Sequence, residues 1–344
     1  MKVCLTTRYF DFTNAGIGRV ASETLRGILN NGHQVIPIST NSTTLQGYMY
    51  YSQLQLPDLM PKNADVYHAI TPVEGLHFPK RKPQLVSILD LIPILYPERT
   101  GAGIGYNKIL NKIGTGYFEY CVKQCIKKAD KVTTLSDHTK QEMCYRYGIA
   151  EENVVVTRLG IRADLFPLAP PEFTPIVETP DWCTKTYGYI GQLDKRKRVD
   201  LLVQGFRANA DKHSRLLIAG AGRDRDKLVA MAGDDKRIKF LGFIDDNQLC
   251  DFYNTLDRFV FPTWAEGYGL PPVEAMACGK PVIVMNDAYI PNDVKERCHI
   301  ARTPGEMFWP KPPLFSQSDN LHWAYTHRWE NYTEQIINTY KEIT

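Results

Sequence analysis

Strand-length apolar runs alternate with helix-length segments in two successive series, and this rhythm narrows the folds open to the chain more than any other feature. The first series runs through residues 3–5, a glycine-rich turn, a helical stretch near 19–31, then 34–38, 65–68, 84–89 and 131–135, with a long helical pattern over 106–128. Consecutive strands joined through helices call for crossover connections, so a parallel sheet with helices on its faces is the economical arrangement. Between Phe166 and Pro180 stand five prolines, Pro167, Pro170, Pro171, Pro175 and Pro180. Proline fixes φ and lacks an N–H, which excludes helix interior and sheet centre and predicts a stiff surface connection. The rhythm then restarts with strands at 186–190, 215–218, 238–241 and 258–261, and helices at 198–207, 225–232 and near 247–255. At about 150 residues per domain, the 344 residues accommodate two domains with a core each. The expected fold class is α/β, with two such domains facing each other across a cleft. Ligands of open parallel sheets bind beyond the carboxyl ends of the strands, so the residues just after each strand are the chemical candidates.

Composition removes several classes of function. Basic residues number 41 and acidic residues 38, a net charge of +3, and charged residues make up 23% of the chain. A nucleic-acid-coating protein would carry a far larger basic excess, so no nucleic-acid partner is expected. Apolar residues, at 43%, are too many for a disordered chain, and no run approaches the roughly 20 apolar residues of a spanning helix. Met1-Lys2-Val3-Cys4-Leu5 is too short an apolar run for a signal peptide and reads as a strand, which makes the cytoplasm the expected location. Eight cysteines are scattered without a C-x-x-C pair, so they read as small buried hydrophobes rather than zinc ligands or disulfides.

Most of the chemistry lies in Phe261-Pro262-Thr263-Trp264-Ala265-Glu266-Gly267-Tyr268-Gly269-Leu270-Pro271-Pro272-Val273-Glu274-Ala275-Met276-Ala277-Cys278-Gly279-Lys280-Pro281-Val282. Pro271 and Pro272 suit a helix start, and Gly279 followed by Pro281 suits its end, which predicts a helix over roughly 272–278. Glu266 then sits on the loop and Glu274 in the first turn, beside the backbone N–H groups of Gly269 and Leu270. Free amides at a helix start suit phosphate, and carboxylates suit paired sugar hydroxyls; together they describe a sugar joined to a phosphate. A capped helix with two solvated glutamates is the plainer alternative.

Three further segments bear on the same question. Gly188-Tyr189-Ile190-Gly191-Gln192-Leu193-Asp194-Lys195-Arg196-Lys197-Arg198 is a strand followed by four basic side chains, which could neutralise a diphosphate without metal or form a solvated face. Ile218-Ala219-Gly220-Ala221-Gly222-Arg223 is a strand entering a glycine turn, where backbone could approach a ligand, and Gly242-Phe243 closes a later strand. Thr13-Asn14-Ala15-Gly16-Ile17-Gly18-Arg19-Val20 forms a glycine loop after the first strand. Asp224-Arg225-Asp226 is formally D-x-D, but residues two apart point to opposite helix faces, so no metal site is expected. A nicotinamide dehydrogenase is disfavoured because Gly16-x-Gly18 lacks a third glycine and no acidic residue ends the second strand.

In this order the segments resemble the C-terminal nucleotide-sugar domain of the GT-B retaining glycosyltransferases of family 4, the glycosyl transferases group 1. The Glu-x7-Glu pair around Gly-Tyr-Gly-Leu-Pro-Pro, continuing into Glu-Ala-Met-Ala-Cys-Gly, is the family's most specific motif, and the likeness is clearest over 186–285. The resemblance implies two Rossmann-like domains. It also implies Glu274 at the nucleotide ribose, Glu266 at the transferred sugar, Lys197 on the diphosphate with Arg196 beside it, and Gly269 and Leu270 amides near the distal phosphate. Gly191, Gly222, Phe243 and Tyr268 fall around the same donor. Gly16 would lie near the leaving phosphate with Arg19 adding charge, and His68 and Asp90 fall on the acceptor and sugar side. The chain departs from the pattern at Gln192, where the family has Arg, at Leu89, where it has His before Asp90, and at Arg198, where it has Gly. Arg196 or Arg198 is expected to supply the missing cation.

The implied layout is an acceptor-side domain over 1–168, a proline-rich linker over 169–180, a nucleotide-sugar domain over 181–322 and a terminal helix over 323–344. That helix carries an apolar stripe of Trp329, Tyr332, Ile336 and Tyr340 that would pack back on the N-terminal domain. Residues 301–321 read as irregular. The implied reaction moves a hexose-type sugar with retention from a nucleoside diphosphate sugar, such as GDP-mannose or UDP-glucose, to a hydroxyl of a glycan, lipid-linked or small-molecule acceptor, with no cofactor or metal. A sugar-nucleotide epimerase of the same fold and a non-catalytic sugar-nucleotide binder are the alternatives. Lys108, Lys112, Lys123, Lys127 and Lys128 within 106–128 suit either peripheral contact with the inner membrane face or a solvated helix face.

Overall fold

The computed structural model describes residues 1–10, 15–40, 45–97, 108–169, 172, 174–309 and 314–344. The chain forms two compact units, one of Met1–Gly160 with Trp329–Thr344 and one of Ile161–Arg328, and each is built on a six-stranded parallel sheet.

In the first unit the strands are β1 (Lys2–Thr6), β2 (Gln34–Ile38), β3 (Val66–Ala69), β4 (Gln84–Ser87), β5 (Lys131–Thr134) and β6 (Val154–Val156), in the order β2-β1-β3-β4-β5-β6. β3 and β4 are buried along their whole length, as parallel strands covered on both faces must be. The helix Ala15–Asn30 links β1 to β2 and packs against the terminal helix Trp329–Ile343. Gly27 permits that approach, since a Cβ there would lie 2.1 Å from Thr333 Oγ1. The expected stripe of Trp329, Tyr332, Ile336 and Tyr340 is buried in this unit, each side chain worth about 1.5–3 kcal/mol when removed from water. The helix Lys108–Lys128 buries Cys121, Val122 and Cys125. Ser136 caps the helix Asp137–Tyr147, accepting the Thr139 N–H at 3.2 Å. All eight cysteines are free thiols.

In the second unit the strands are β7 (Lys185–Ile190), β8 (Ser214–Ala219), β9 (Ile238–Gly242), β10 (Arg258–Phe261), β11 (Val282–Met285) and β12 (His299–Ala301). Their order is β9-β8-β7-β10-β11-β12, so the winding reverses between β7 and β10. Loops leaving two adjacent strands at such a reversal open a crevice at the carboxyl edge of the sheet.

Three expectations about chain organisation require correction. The division between units falls at 160/161 rather than at 168/169, and the proline-rich segment is stitched to the second unit instead of hanging between two domains. Leu168 N–H donates to Asn254 Oδ1 at 2.9 Å, and Asn254 Nδ2 donates to Phe166 O at 3.0 Å. Arg215, 2% exposed, donates to Glu178 O and Thr179 Oγ1, both at 2.7 Å. Pro170 and Pro171 lie outside the described residues. The helix expected over 323–344 is two helices, Gln317–Tyr325 in the second unit and Trp329–Ile343 in the first. Nor is 301–321 wholly irregular, because a capping box between Ser316 and Asp319 starts the first of these helices.

Candidate functional site

The site is assembled from the loops that leave β7 and β10. After β7, Asp194 caps a short turn at Lys195–Lys197, accepting the Lys197 N–H at 3.2 Å, and this sets the direction of the Lys197 side chain. After β10, the Glu266 loop is held by main-chain bonds: Trp264 N–H to Arg196 O at 2.8 Å, Tyr289 N–H to Trp264 O at 2.7 Å and Glu266 N–H to Tyr289 O at 2.9 Å. The first of these bonds ties the two loops to each other.

The sequence placed Glu266, Lys197 and Arg196 together, and the structure brings them into contact. Glu266 Oε1 lies 2.6 Å from Lys197 Nζ and 3.0 Å from Arg196 Nη1, and it accepts the Thr263 hydroxyl at 2.6 Å. All three meet the same oxygen, and Oε2 carries no hydrogen bond among the described residues. Burial works against the Glu266 charge, but Arg196 and Lys197 overcome it and hold the pKa near about 2. Burial lowers the Lys197 pKa while Glu266 opposes that drop. Since the two are 2.6 Å apart and mutually oriented, the charged pair is the state the geometry supports.

Gly269 has φ +89° and forms the N-cap of the helix Leu270–Ala277, which begins two residues before the expected start. A Cβ at Gly269 would lie 4.0 Å from Glu266 Cβ, so this helix start sits beside the root of the Glu266 side chain. Pro271 and Pro272 lack N–H groups, which leaves the amides of Gly269 and Leu270 to meet an anion. Glu274 is 4% exposed, and its Oε2 accepts the Tyr253 hydroxyl at 2.9 Å.

Other candidates divide into those placed near this edge and those committed elsewhere. Phe243, just past β9, is 66% exposed, whereas Tyr268 is buried with its ring 6.0 Å from that of His327. Gly191 has φ +152°, and a Cβ on Gly220 would lie 1.9 Å from the Gly191 carbonyl oxygen. A Cβ on Gly222 would lie 2.2 Å from Leu193 O, so backbone packing between the loops after β7 and β8 already accounts for that glycine. Of the two cations expected to replace the one missing at Gln192, Arg196 reaches Glu266 and Arg198 does not. Arg198 forms a bidentate pair with Asp287 at 2.8 and 2.9 Å and donates to the carbonyls of Pro262 and Thr263 at 2.7 and 2.9 Å. These bonds hold it at φ +51°, a left-handed conformation that favours glycine.

In the first unit, Gly16 and Arg19 lie in the first turns of the helix Ala15–Asn30, and nothing within 4 Å would meet a Cβ on Gly16. Thr13 and Asn14 lie outside the described residues. His68 is corrected from a site candidate to a core residue. It is fully buried, with Nδ1 2.7 Å from the Tyr340 hydroxyl and Nε2 2.9 Å from Ser87 Oγ, and burial lowers its pKa to about 3. Asp90 is half-buried and accepts the Ile92 N–H at 2.9 Å at the start of a short turn. Asp226 is 95% exposed and paired with its neighbour Arg225, and no group of three metal-ligating side chains occurs among the described residues. No described helix is long and apolar enough to cross a membrane.

Sequence reasoning missed Thr263, Tyr253, Asp287 and Tyr289. Thr263 sits inside the quoted motif, but no local pattern marks any of the four as partners of the site.

Residues 184–306 match the family model for glycosyl transferases group 1. The Glu-Lys-Arg cluster and the strand reversal both lie within the matched residues. The second unit carries a region matching the glycosyl transferases group 1, and the chain has the GT-B fold. It is 28% identical to the O-antigen chain mannosyltransferase B of Escherichia coli over 65% of this chain and 64% of the relative. It is 25% identical to an uncharacterized glycosyltransferase of Methanocaldococcus jannaschii over 61% of this chain and 60% of that protein. The matched chain thus spans less than two thirds of the length of these relatives. Among solved structures, Anabaena HepE in complex with UDP and glucose shares the fold at a TM-score of 0.69 and 15% identity, covering 99% of this chain and 100% of that one.

Proposed function

We propose that this chain is a glycosyl transferases group 1 enzyme that transfers a hexose-type sugar from a nucleoside diphosphate sugar to a hydroxyl acceptor with retention of configuration and without a metal. The observation that carries the reading is the buried Glu266 carboxylate gripped through one oxygen by Lys197 and Arg196 at the β7/β10 reversal. Oε2 is available to accept a sugar hydroxyl. Lys197 has three N–H donors, of which Glu266 uses one, and the remainder would meet the diphosphate together with the Gly269 and Leu270 amides. Glu274, oriented by Tyr253, is suited to the ribose hydroxyls.

In the proposed step the bond between the sugar and the diphosphate oxygen breaks and a bond to the acceptor oxygen forms on the same face. The acceptor proton passes to the departing diphosphate, so no protein base is needed. Lys197 and Arg196 would act by stabilising charge on the leaving oxygen, an effect worth about 10²–10³ in rate for a preorganised donor. The relatives' mannosyltransferase names and the UDP bound to HepE support a nucleotide-sugar donor class and leave GDP-mannose and UDP-glucose as the first to test.

The test is incubation of each donor with a panel of glycan and lipid-linked acceptors in excess chelator, with the product anomer read by NMR. A product keeping the donor's anomeric configuration is expected. An inverted product, loss of turnover in chelator, or an epimerised donor would overturn the corresponding part of the proposal. Exposed Ile113 and Tyr120 beside Lys112, Lys123 and Lys127 favour peripheral membrane contact as an added feature. Salt-sensitive sedimentation with anionic vesicles is then expected, and its absence would end that idea.

A further inference from the structure

At the carboxyl edge of the first unit's sheet, strand order reverses between β1 and β3, and a cation stands there that the donor reading does not use. Arg8 stands two residues beyond β1. Its guanidinium carbon lies 4.8 Å from the Tyr9 ring centroid and 4.4 Å from that of Tyr48. Aromatic contacts of this kind fix the plane of the cation. The guanidinium makes no ion pair among the described residues, and its buried Nε has no hydrogen-bond partner among them.

The neighbouring carboxylate does not supply that partner. Glu74 is fully buried; its Oε1 accepts the Tyr48 hydroxyl at 2.5 Å and its Oε2 accepts the Thr71 hydroxyl. Glu74 thereby positions Tyr48, one of the two rings against Arg8. Burial raises its pKa, while the Thr71 and Tyr48 hydroxyls and the nearby Arg8 charge oppose that rise. The Tyr51 hydroxyl, on a residue 2% exposed, is a second buried polar atom without a partner among the described residues. An unmatched guanidinium atom costs about 1–3 kcal/mol or more, and retaining one at a strand reversal makes sense if a ligand completes it.

We propose that Arg8 with Tyr9 and Tyr48 forms a subsite for a negatively charged group, phosphate or carboxylate, on the acceptor carbohydrate. This rests on the glycosyltransferase reading and adds the charge class of the acceptor. The tyrosine rings supply apolar surface for a sugar face, and the guanidinium fork matches the two oxygens of the anion.

The test is calorimetry on the full chain with glucose 6-phosphate, glucuronate and uncharged glucose as probes, with UDP and GDP run in parallel. One or both charged sugars should bind the wild-type chain and Lys197→Met alike, with glucose at least about tenfold weaker, and Arg8→Gln should lose about tenfold or more. Which charged probe binds identifies the anion. Equal binding of glucose, unaltered affinity in Arg8→Gln, or loss in Lys197→Met would overturn the proposal. Retained nucleoside diphosphate binding in Arg8→Gln confines such a failure to this subsite, whereas no UDP or GDP binding to the wild-type chain would sink the donor reading instead. Should Arg8→Gln fail to fold, Arg8→Lys keeps the charge without the fork. It should bind the charged sugars about fivefold or more weakly, and unaltered affinity would count against the proposal.

Discussion

A Glu266→Gln protein keeps the side-chain shape and one acceptor oxygen but strips Lys197 and Arg196 of their shared counter-charge. Lys197 is 7% exposed with Nζ 2.6 Å from Oε1, so its charge would remain desolvated and unmatched. Removing one member of a buried pair costs about 3–5 kcal/mol. Arg196, with a side chain 21% exposed, adds less because solvent screens it. The loss should depend on pH. Burial lowers the Lys197 pKa from 10.5, and Glu266 opposes that drop, so the variant's folded pKa falls further below the unfolded value. Between the two values the unfolded chain binds more protons than the folded one. Stability in that window therefore rises with pH, by up to about 1.4 kcal/mol per unit. Urea denaturation of wild type, Glu266→Gln, Lys197→Met and the double variant at about pH 6 and about pH 9 measures this. Expected are a larger deficit at the lower pH and a pair coupling of about 1–3 kcal/mol. A pH-independent loss below about 1 kcal/mol with no coupling would refute the buried-pair argument.

Tyr253→Phe removes the hydroxyl that orients Glu274, so nucleoside diphosphate affinity should fall about tenfold while the chain stays folded; unaltered affinity in calorimetry would count against Glu274 as a ribose ligand. Arg198→Met breaks the Asp287 pair and two carbonyl bonds and should cost about 2 kcal/mol in urea denaturation. Arg196→Met should instead weaken donor binding, and the opposite pattern would reverse the roles given to these neighbours. His68 has its folded pKa lowered from 6.5 to about 3, so the stability it confers is present above 6.5 and drains away as pH falls toward 3, by up to about 1.4 kcal/mol per unit. His68→Gln should flatten that acid limb, and an equally steep profile would contradict the assignment of His68 to the core.

The strand rhythm and the 261–282 segment carried most of the architecture and the heart of the site because both are local. Proline and glycine positions mark the ends of the helix Leu270–Ala277, and a basic run after a strand marks where Lys197 and Arg196 stand. What escaped depends on distant partners. His68 reads as a strand-end histidine, yet its hydrogen bond is to Tyr340, 272 residues away. Arg198 reads as one more cation in a run, and only its pairing with Asp287, 89 residues on, shows that it braces the loops. Asn254 and Arg215 capture the proline-rich segment through side-chain bonds that no proline count reveals, which moved the boundary to 160/161. The capping box at Ser316 and Asp319 was legible in principle, but the prolines before it masked the helix it begins.

The central claim is that the carboxyl edge of the second unit's sheet binds a nucleoside diphosphate through Lys197 and Glu274. Titration calorimetry of the full chain with UDP, GDP and ADP measures it directly. Binding of at least one of them is predicted, weakened about tenfold or more in both Lys197→Met and Glu274→Ala; no heat from any of the three, or equal heat from the variants, would contradict it.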